Sequence, residues 1–204
     1  MMMHRSLNRI GLALIAIGAL TFGVARLRSS EETVPPPVTP TVIDYGTVPE
    51  FSLTSSAGQA VSLNDLRGRV WVADFIFTHC AGTCPAITGN MRRLQDTLPA
   101  DTRLVSFSVD PARDTPEVLA KYAKEVGADP ARWFFLTGSR QALYDLSIKG
   151  FKLAVSDTDG TADEPITHAT RFALIDKEGK IRKYYDGTDL ESVRQLAEDV
   201  KKML

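Results

Sequence analysis

Cysteine is scarce in this chain: the 204 residues contain only Cys80 and Cys84, with three residues between them. This scarcity excludes a scaffold held together by several disulfides. A single bridge between the two cysteines would close a five-residue loop, which restricts the unfolded chain very little and therefore adds little stability. The pair is interpreted as a site for electron exchange or metal binding, more than as a structural crosslink.

An excess of basic residues is also absent. The formal net charge is −1, and because the first 30 residues hold four arginines and no acidic residue, the remainder carries −5. A nucleic-acid-binding protein normally presents a basic face, and this charge balance argues against that class. The length and a hydrophobic fraction of 44% are typical of one globular domain with a real core.

Only one long apolar run exists, from Ile10 to Ala25, and arginines flank it on both sides. Basic residues ahead of such a run are typical of a secretory signal or a signal anchor. The run is slightly shorter than the roughly 17 to 25 residues of a spanning helix, so cleavage after Ala25 stays an alternative. We predict that residues 1–28 form an uncleaved anchor in the bacterial inner membrane, with the domain facing the periplasm or outer side.

Residues 29–47 contain four prolines and no apolar periodicity, which is typical of an extended spacer. Residues 48–204 then form the predicted domain. Its apolar patterns and turn residues predict an N-terminal hairpin at 51–63, a buried central strand at 70–77, a helix from Pro85 to about Leu98, a strand at 103–110, a helix capped by Thr115, a strand at 132–138, a helix capped by Ser139, a hairpin at 171–185 and a terminal helix at 189–204.

This order predicts an α/β fold, a mixed sheet flanked by helices. A cysteine pair between the first central strand and its helix is also where thioredoxin-like folds carry their redox cysteines. With Pro85 at the first helical position, Cys84 falls at the helix start, where the helix dipole favours a thiolate. Thiolate serves both as a nucleophile and as a ligand for soft metals such as Cu(I) and zinc.

A third metal ligand must come from one of three histidines. His4 belongs to the N-terminal segment, and His79 is expected to point away from the neighbouring Cys80. His168 remains; it precedes the strand at 171, and a thioredoxin-like sheet would bring it close to the sulfurs. The acidic residues ahead of it are expected to form an exposed loop and not to be ligands: Asp157, Asp159, Asp163 and Glu164.

Four ordered segments resemble the SCO/SenC family: "FTHCAGTCP", "SVDPARDTPEVLAKYA", "WFFLTG" and "HATRFALID". The likeness covers roughly residues 48 to 202. One departure is Ala81, where many members have proline. Within the second segment, Asp110 is expected to help orient the metal loop, and Asp114 is interpreted as part of a helix start.

The resemblance implies a thioredoxin-like fold and copper binding through Cys80, Cys84 and His168, as Cu(I) with Cu(II) as a second state. It also implies that the chain delivers copper to, or prepares the thiols of, the copper-bearing subunit of cytochrome c oxidase or another copper or thiol protein. Many family members are tethered by one N-terminal helix, in agreement with the predicted anchor. The preferred interpretation is therefore a membrane-anchored copper chaperone without catalytic residues.

Two enzymatic alternatives remain open. A thiol:disulfide oxidoreductase acting on exported or oxidase-subunit cysteines would use Cys80 and Cys84 as its redox pair and would not need His168. A peroxiredoxin-like peroxidase is disfavoured, because its T-x-x-C block would need threonine three residues before a cysteine. Phe77 and Ala81 occupy those two positions.

Overall fold

The computed structural model describes residues 44–80, 84–156 and 166–204. The predicted anchor, most of the predicted spacer and the acidic residues 157–164 lie outside these ranges, so the statements about them stay predictions. No helix within the described ranges is both long and apolar enough to cross a membrane. The described residues form one compact unit.

Nine strands and four helices make up the described fold, together with a 3-10 turn at Leu63–Asp65. The strands are β1 Ser52–Ser55, β2 Ala60–Ser62, β3 Trp71–Ile76, β4 Arg103–Ser108, β5 Trp133–Thr137, β6 Val155–Ser156, β7 Thr167–His168, β8 Arg171–Ile175 and β9 Ile181–Asp186. The helices are α1 Cys84–Thr97, α2 Pro116–Glu125, α3 Arg140–Asp145, continued by a π-helix over Leu146–Gly150, and α4 Leu190–Lys201.

Seven strands form one mixed sheet in the order β2-β1-β5-β4-β3-β8-β9. The three central strands, β3, β4 and β5, are parallel, and the outer pairs are antiparallel. The prediction of a mixed sheet with an N-terminal hairpin is therefore confirmed. A separate two-stranded sheet, β6 with β7, was not predicted.

Every residue of β3 is buried, because helices and loops cover both faces of the sheet. Ala73 and Phe75 pack into one apolar cluster, which also holds Leu143 of the α3 region. Val72 and Ile76 pack into a second cluster on the opposite face. Side chains from α1, α2 and α4 complete that second cluster: Ile87, Met91, Leu94, Leu119, Leu196 and Val200.

The helix starts follow the local sequence signals. The Thr115 hydroxyl accepts a hydrogen bond from the Val118 N–H, and Ser139 caps α3 in the same way, as predicted. The regular α-helix predicted after Ser139 instead becomes a π-helix at Leu146. Gly150 at its end lies so close to Pro49 that a Cβ atom would be only 2.8 Å from the proline Cδ. A larger residue at position 150 would therefore displace Pro49.

Candidate metal site

The two cysteines lie at the junction of β3 and α1. Cys80 follows the end of β3 and is half-buried, whereas Cys84 begins α1 and is only 1% exposed. Both thiols are free. The Cys84 side chain belongs to the same apolar cluster as Phe77, which follows β3. One sulfur is therefore accessible and the other is part of the core.

His168 reaches the site from β7. Its Nε2 atom lies 3.3 Å from the Cys84 Sγ atom, although 84 residues separate the two in sequence. Its Nδ1 atom lies 3.3 Å from the Ala169 carbonyl oxygen, and its ring meets that of Phe77 edge-on at 5.6 Å between centroids. The predicted approach of His168 to the sulfurs is thus present for Cys84.

The Ala169 carbonyl also determines which tautomer of His168 fits the site. A carbonyl only accepts hydrogen bonds, so the hydrogen bond requires a proton on Nδ1. A neutral imidazole then carries its lone pair on Nε2, which faces the Cys84 sulfur. This is the arrangement of metal-binding histidines, whose second ring nitrogen donates to a backbone or carboxylate oxygen.

The predicted thiolate character of Cys84 is wrong for the metal-free protein. Burial raises the pKa of Cys84 well above its ordinary value, and a hydrogen bond that the Cys84 thiol donates to the Cys80 sulfur acts in the same direction. A backbone hydrogen bond from Phe77 opposes them with a smaller effect. Desolvation therefore outweighs the helix start, and a metal that binds Cys84 must displace a proton.

Across residues 44–80, 84–156 and 166–204, no three side chains of histidine, cysteine, aspartate or glutamate already surround one metal position. The structure brings Cys84 and His168 together and places Cys80 beside Cys84. His79 is exposed, in agreement with the expectation that it points away from the site. Cys84 and His168 thus form a preassembled pair, and the Cys80 side chain lies next to Cys84.

Asp114 is a residue of this region whose role the sequence did not reveal. It is completely buried, and its carboxylate accepts hydrogen bonds from the Thr78 hydroxyl at 2.6 Å and from the Ser108 hydroxyl at 2.7 Å. Asp110, which was expected to orient the metal loop, pairs with Arg113 at 3.1 Å. Residues 81–83 of that loop lie outside the described ranges, so the expectation for Asp110 stays a prediction. Among the described residues, Asp114 holds Thr78, two positions before Cys80.

Asp74 is a second buried carboxyl group near the site, on the face of β3 that α1 covers. It is 1% exposed, and within the described part of the chain neither of its oxygens meets hydrogen-bond geometry. Burial raises the pKa of Asp74 to about 7, against a smaller opposing effect of the nearby Ser106 hydroxyl. A carboxyl group in such surroundings is most stable in its neutral form.

Comparison with known proteins places these features in a family context. A family model described as SCO1/SenC matches residues 44–204. The SCO1 protein homolog of Bacillus subtilis is 38% identical over 158 residues, which cover 76% of this chain and 81% of the relative. The family model therefore spans every described residue.

Solved structures share the fold. BsSco, described as a Sco-family cytochrome c oxidase assembly protein with a disulfide switch, is 38% identical with a TM-score of 0.70, covering 79% of this chain and 94% of its own. Copper-bound ScoI of Arabidopsis thaliana is 26% identical with a TM-score of 0.65, covering 78% of this chain and 98% of its own. The mixed sheet flanked by helices matches these Sco structures.

Proposed function

The chain belongs to the SCO1/SenC family, and from this premise we propose that it binds copper as cargo and supplies it to another protein. The ligands in this proposal are Cys80, Cys84 and His168. The observation that carries it is the 3.3 Å approach of His168 Nε2 to Cys84 Sγ.

The donor set suits Cu(I). Thiolates are soft ligands that favour Cu(I), and imidazole is a good additional ligand for copper. Since the metal-free Cys84 is a thiol, copper binding displaces its proton and leaves two thiolates and a neutral imidazole around the ion. Copper-bound ScoI of Arabidopsis thaliana, a relative with the same fold, supports copper over zinc.

The target in this proposal is the copper-bearing subunit of cytochrome c oxidase, or another copper or thiol protein. BsSco is described as an oxidase assembly protein, which supports this assignment. The unequal exposure of the two sulfurs suggests the direction of transfer: an incoming thiolate reaches the ion beside the half-buried Cys80, while Cys84 stays in the core. Residues 1–28 would anchor the chain in the membrane, and residues 29–47 would connect them to the domain at 48–204.

Replacement of His168 by alanine tests the three-ligand site. We expect His168→Ala to lower the Cu(I) affinity at least about 100-fold, since a buried site loses one of its three ligands, whereas folding is retained because His168 lies outside the main sheet. Competition with a chromophoric Cu(I) chelator measures the affinity. His79→Ala, which removes an exposed imidazole next to Cys80, is the matched control and should bind as the wild type does. Unchanged affinity in His168→Ala would rule out the three-ligand proposal.

A thiol:disulfide oxidoreductase is the second candidate, and the unequal exposure of two free thiols favours it. The Cys80 thiolate would attack a target disulfide and form a mixed disulfide, with one target sulfur leaving as a thiolate. Cys84 would then displace the second target sulfur, so that two electrons pass from the pair to the target. This reaction needs no imidazole ligand, and full reductase activity in His168→Ala would favour it over copper delivery.

A further inference from the structure

The segment that carries Cys80 leaves the sheet at the end of β3. The last backbone hydrogen bond of this strand end joins the Val109 N–H to the Ile76 carbonyl at 2.8 Å. Thr78 follows, two residues before Cys80, and both of its donors are directed at Asp114. Its N–H lies 3.2 Å from Oδ2 and its hydroxyl 2.6 Å from Oδ1. The position of Cys80 therefore depends on this carboxylate.

The other contacts of Asp114 attach it to the neighbouring strand. Its Oδ2 atom accepts from the Ser108 hydroxyl, at the end of β4, at 2.7 Å, and its own N–H donates to the Asp110 carbonyl at 2.9 Å. Because β3 and β4 are parallel neighbours, their ends meet at one edge of the sheet. Asp114 bridges the two ends, 36 residues away from Thr78 in sequence.

A purely local role in starting α2 does not account for these contacts. The cap of α2 is Thr115, whose hydroxyl accepts from the Val118 N–H at 3.4 Å. Asp114 itself is 0% exposed and is surrounded by three donors from two strand ends. A buried carboxylate is costly unless such donors satisfy it. Asp114 therefore links the ends of β3 and β4, whereas Thr115 caps the start of α2.

The hydrogen bonds between Asp114 and Thr78 are also linked to His168, another of the proposed ligands. Phe77 precedes Thr78, and its ring packs edge-on against the His168 ring at 5.6 Å. A displacement of Thr78 would therefore move the aromatic surface under His168 as well as the start of the Cys80 segment. Asp114 is thus connected through Thr78 to the segment of Cys80, and through the neighbouring Phe77 to the surroundings of His168.

We propose that Asp114 is a positioning residue that fixes Thr78, and through it the location of Cys80 relative to Cys84 and His168. Loss of the hydrogen bonds between Asp114 and Thr78 lowers the effective concentration of the Cys80 sulfur near the Cys84 sulfur. Disulfide formation and copper binding both depend on that proximity. The copper part rests on the proposed function, whereas the effect on the thiol pair stands without it.

The test is Asp114→Asn, with the reduction potential of Cys80 and Cys84 and the Cu(I) affinity measured on the full-length protein. Asparagine keeps the shape but replaces one acceptor oxygen by a donor that opposes the donors of Thr78 or Ser108. We expect the equilibrium constant for disulfide formation to fall about tenfold, which makes the potential about 30 mV more positive. Copper affinity should fall about 10- to 100-fold, as for other residues that orient metal ligands.

Two further variants separate positioning from stability. Thr78→Val removes one donor from the same connection and should shift the potential in the same direction by a smaller amount; it carries the test if Asp114→Asn does not fold. Thr115→Ala removes the cap of α2 and lowers stability, but should leave the potential unchanged. Wild-type potentials in Asp114→Asn and Thr78→Val, or an equal shift in Thr115→Ala, would overturn the proposal. A shifted potential in a protein that binds no copper would refute only the proposed function.

Discussion

Oxidation of Cys80 and Cys84 to a disulfide is expected to abolish copper binding, and reduction is expected to restore it. A disulfide sulfur carries neither a proton to release nor a negative charge, so it is a poor ligand for Cu(I). His168 would then be the one remaining donor of the proposed set. The full-length protein is oxidised in one sample and reduced in another, incubated with Cu(I), and freed of unbound copper on a desalting column. Metal analysis then gives the copper content of each sample.

The matched control for this experiment is Cys80→Ser, which cannot form the intramolecular bridge. Its copper content should be low in both conditions, without the recovery that the wild type shows on reduction. Copper bound equally by the oxidised and reduced wild type would contradict the assignment of the sulfurs as ligands. One disulfide would in any case add little to stability, because its loop holds only five residues.

Raising the pH from about 4 to 7 is expected to reduce the free energy of unfolding because of Asp74. The folded protein holds this carboxyl with a pKa of about 7, whereas the ordinary value for an aspartate is 3.8. Between these values the folded state binds more protons than the unfolded state, so stability falls as the pH rises. At about 1.4 kcal/mol per pKa unit, the loss from this single group is at most roughly 4 kcal/mol and is complete above pH 7.

Asp74→Asn isolates this contribution, because it removes the titrating group and keeps the side-chain shape. Chemical denaturation at several pH values between 4.5 and 8 should show a smaller loss of stability with rising pH than in the wild type. Asp101→Asn, on a side chain that is 85% exposed, is the control and should keep the wild-type slope. Parallel pH profiles of wild type and Asp74→Asn would show that burial does not perturb Asp74 as the structure indicates.

Features encoded within a short segment were predictable from the sequence. The nearly continuous apolar run at 70–77 predicted β3, because a strand covered on both faces carries apolar side chains along most of its length. The caps at Thr115 and Ser139 were equally visible, since each cap bonds a residue three positions ahead. The mixture of parallel and antiparallel strands in the sheet followed from the order of the helices and strands along the chain.

Features that depend on tertiary burial were not predictable in the same way. The helix start suggested a thiolate at Cys84, but the sequence gives no measure of how completely the core covers that sulfur. Asp114 and Thr78 meet across 36 residues, and only the pairing of β3 with β4 brings them together. The short strand β7 that carries His168 has no periodic pattern, because it contains two residues.

The small sheet of β6 and β7 has a kinetic consequence for the proposed cargo. Within residues 44–80, 84–156 and 166–204, its ladder has two residue pairs, Val155 with His168 and Ser156 with Thr167, and this sheet is separate from the seven-stranded one. So short a pairing opens at a far lower free-energy cost than the central strands. We therefore expect the imidazole to dissociate first, leaving a two-coordinate ion on the sulfurs for an incoming thiolate. The residence time of the ion is then governed by a local opening, and a very stable fold can still release its cargo quickly.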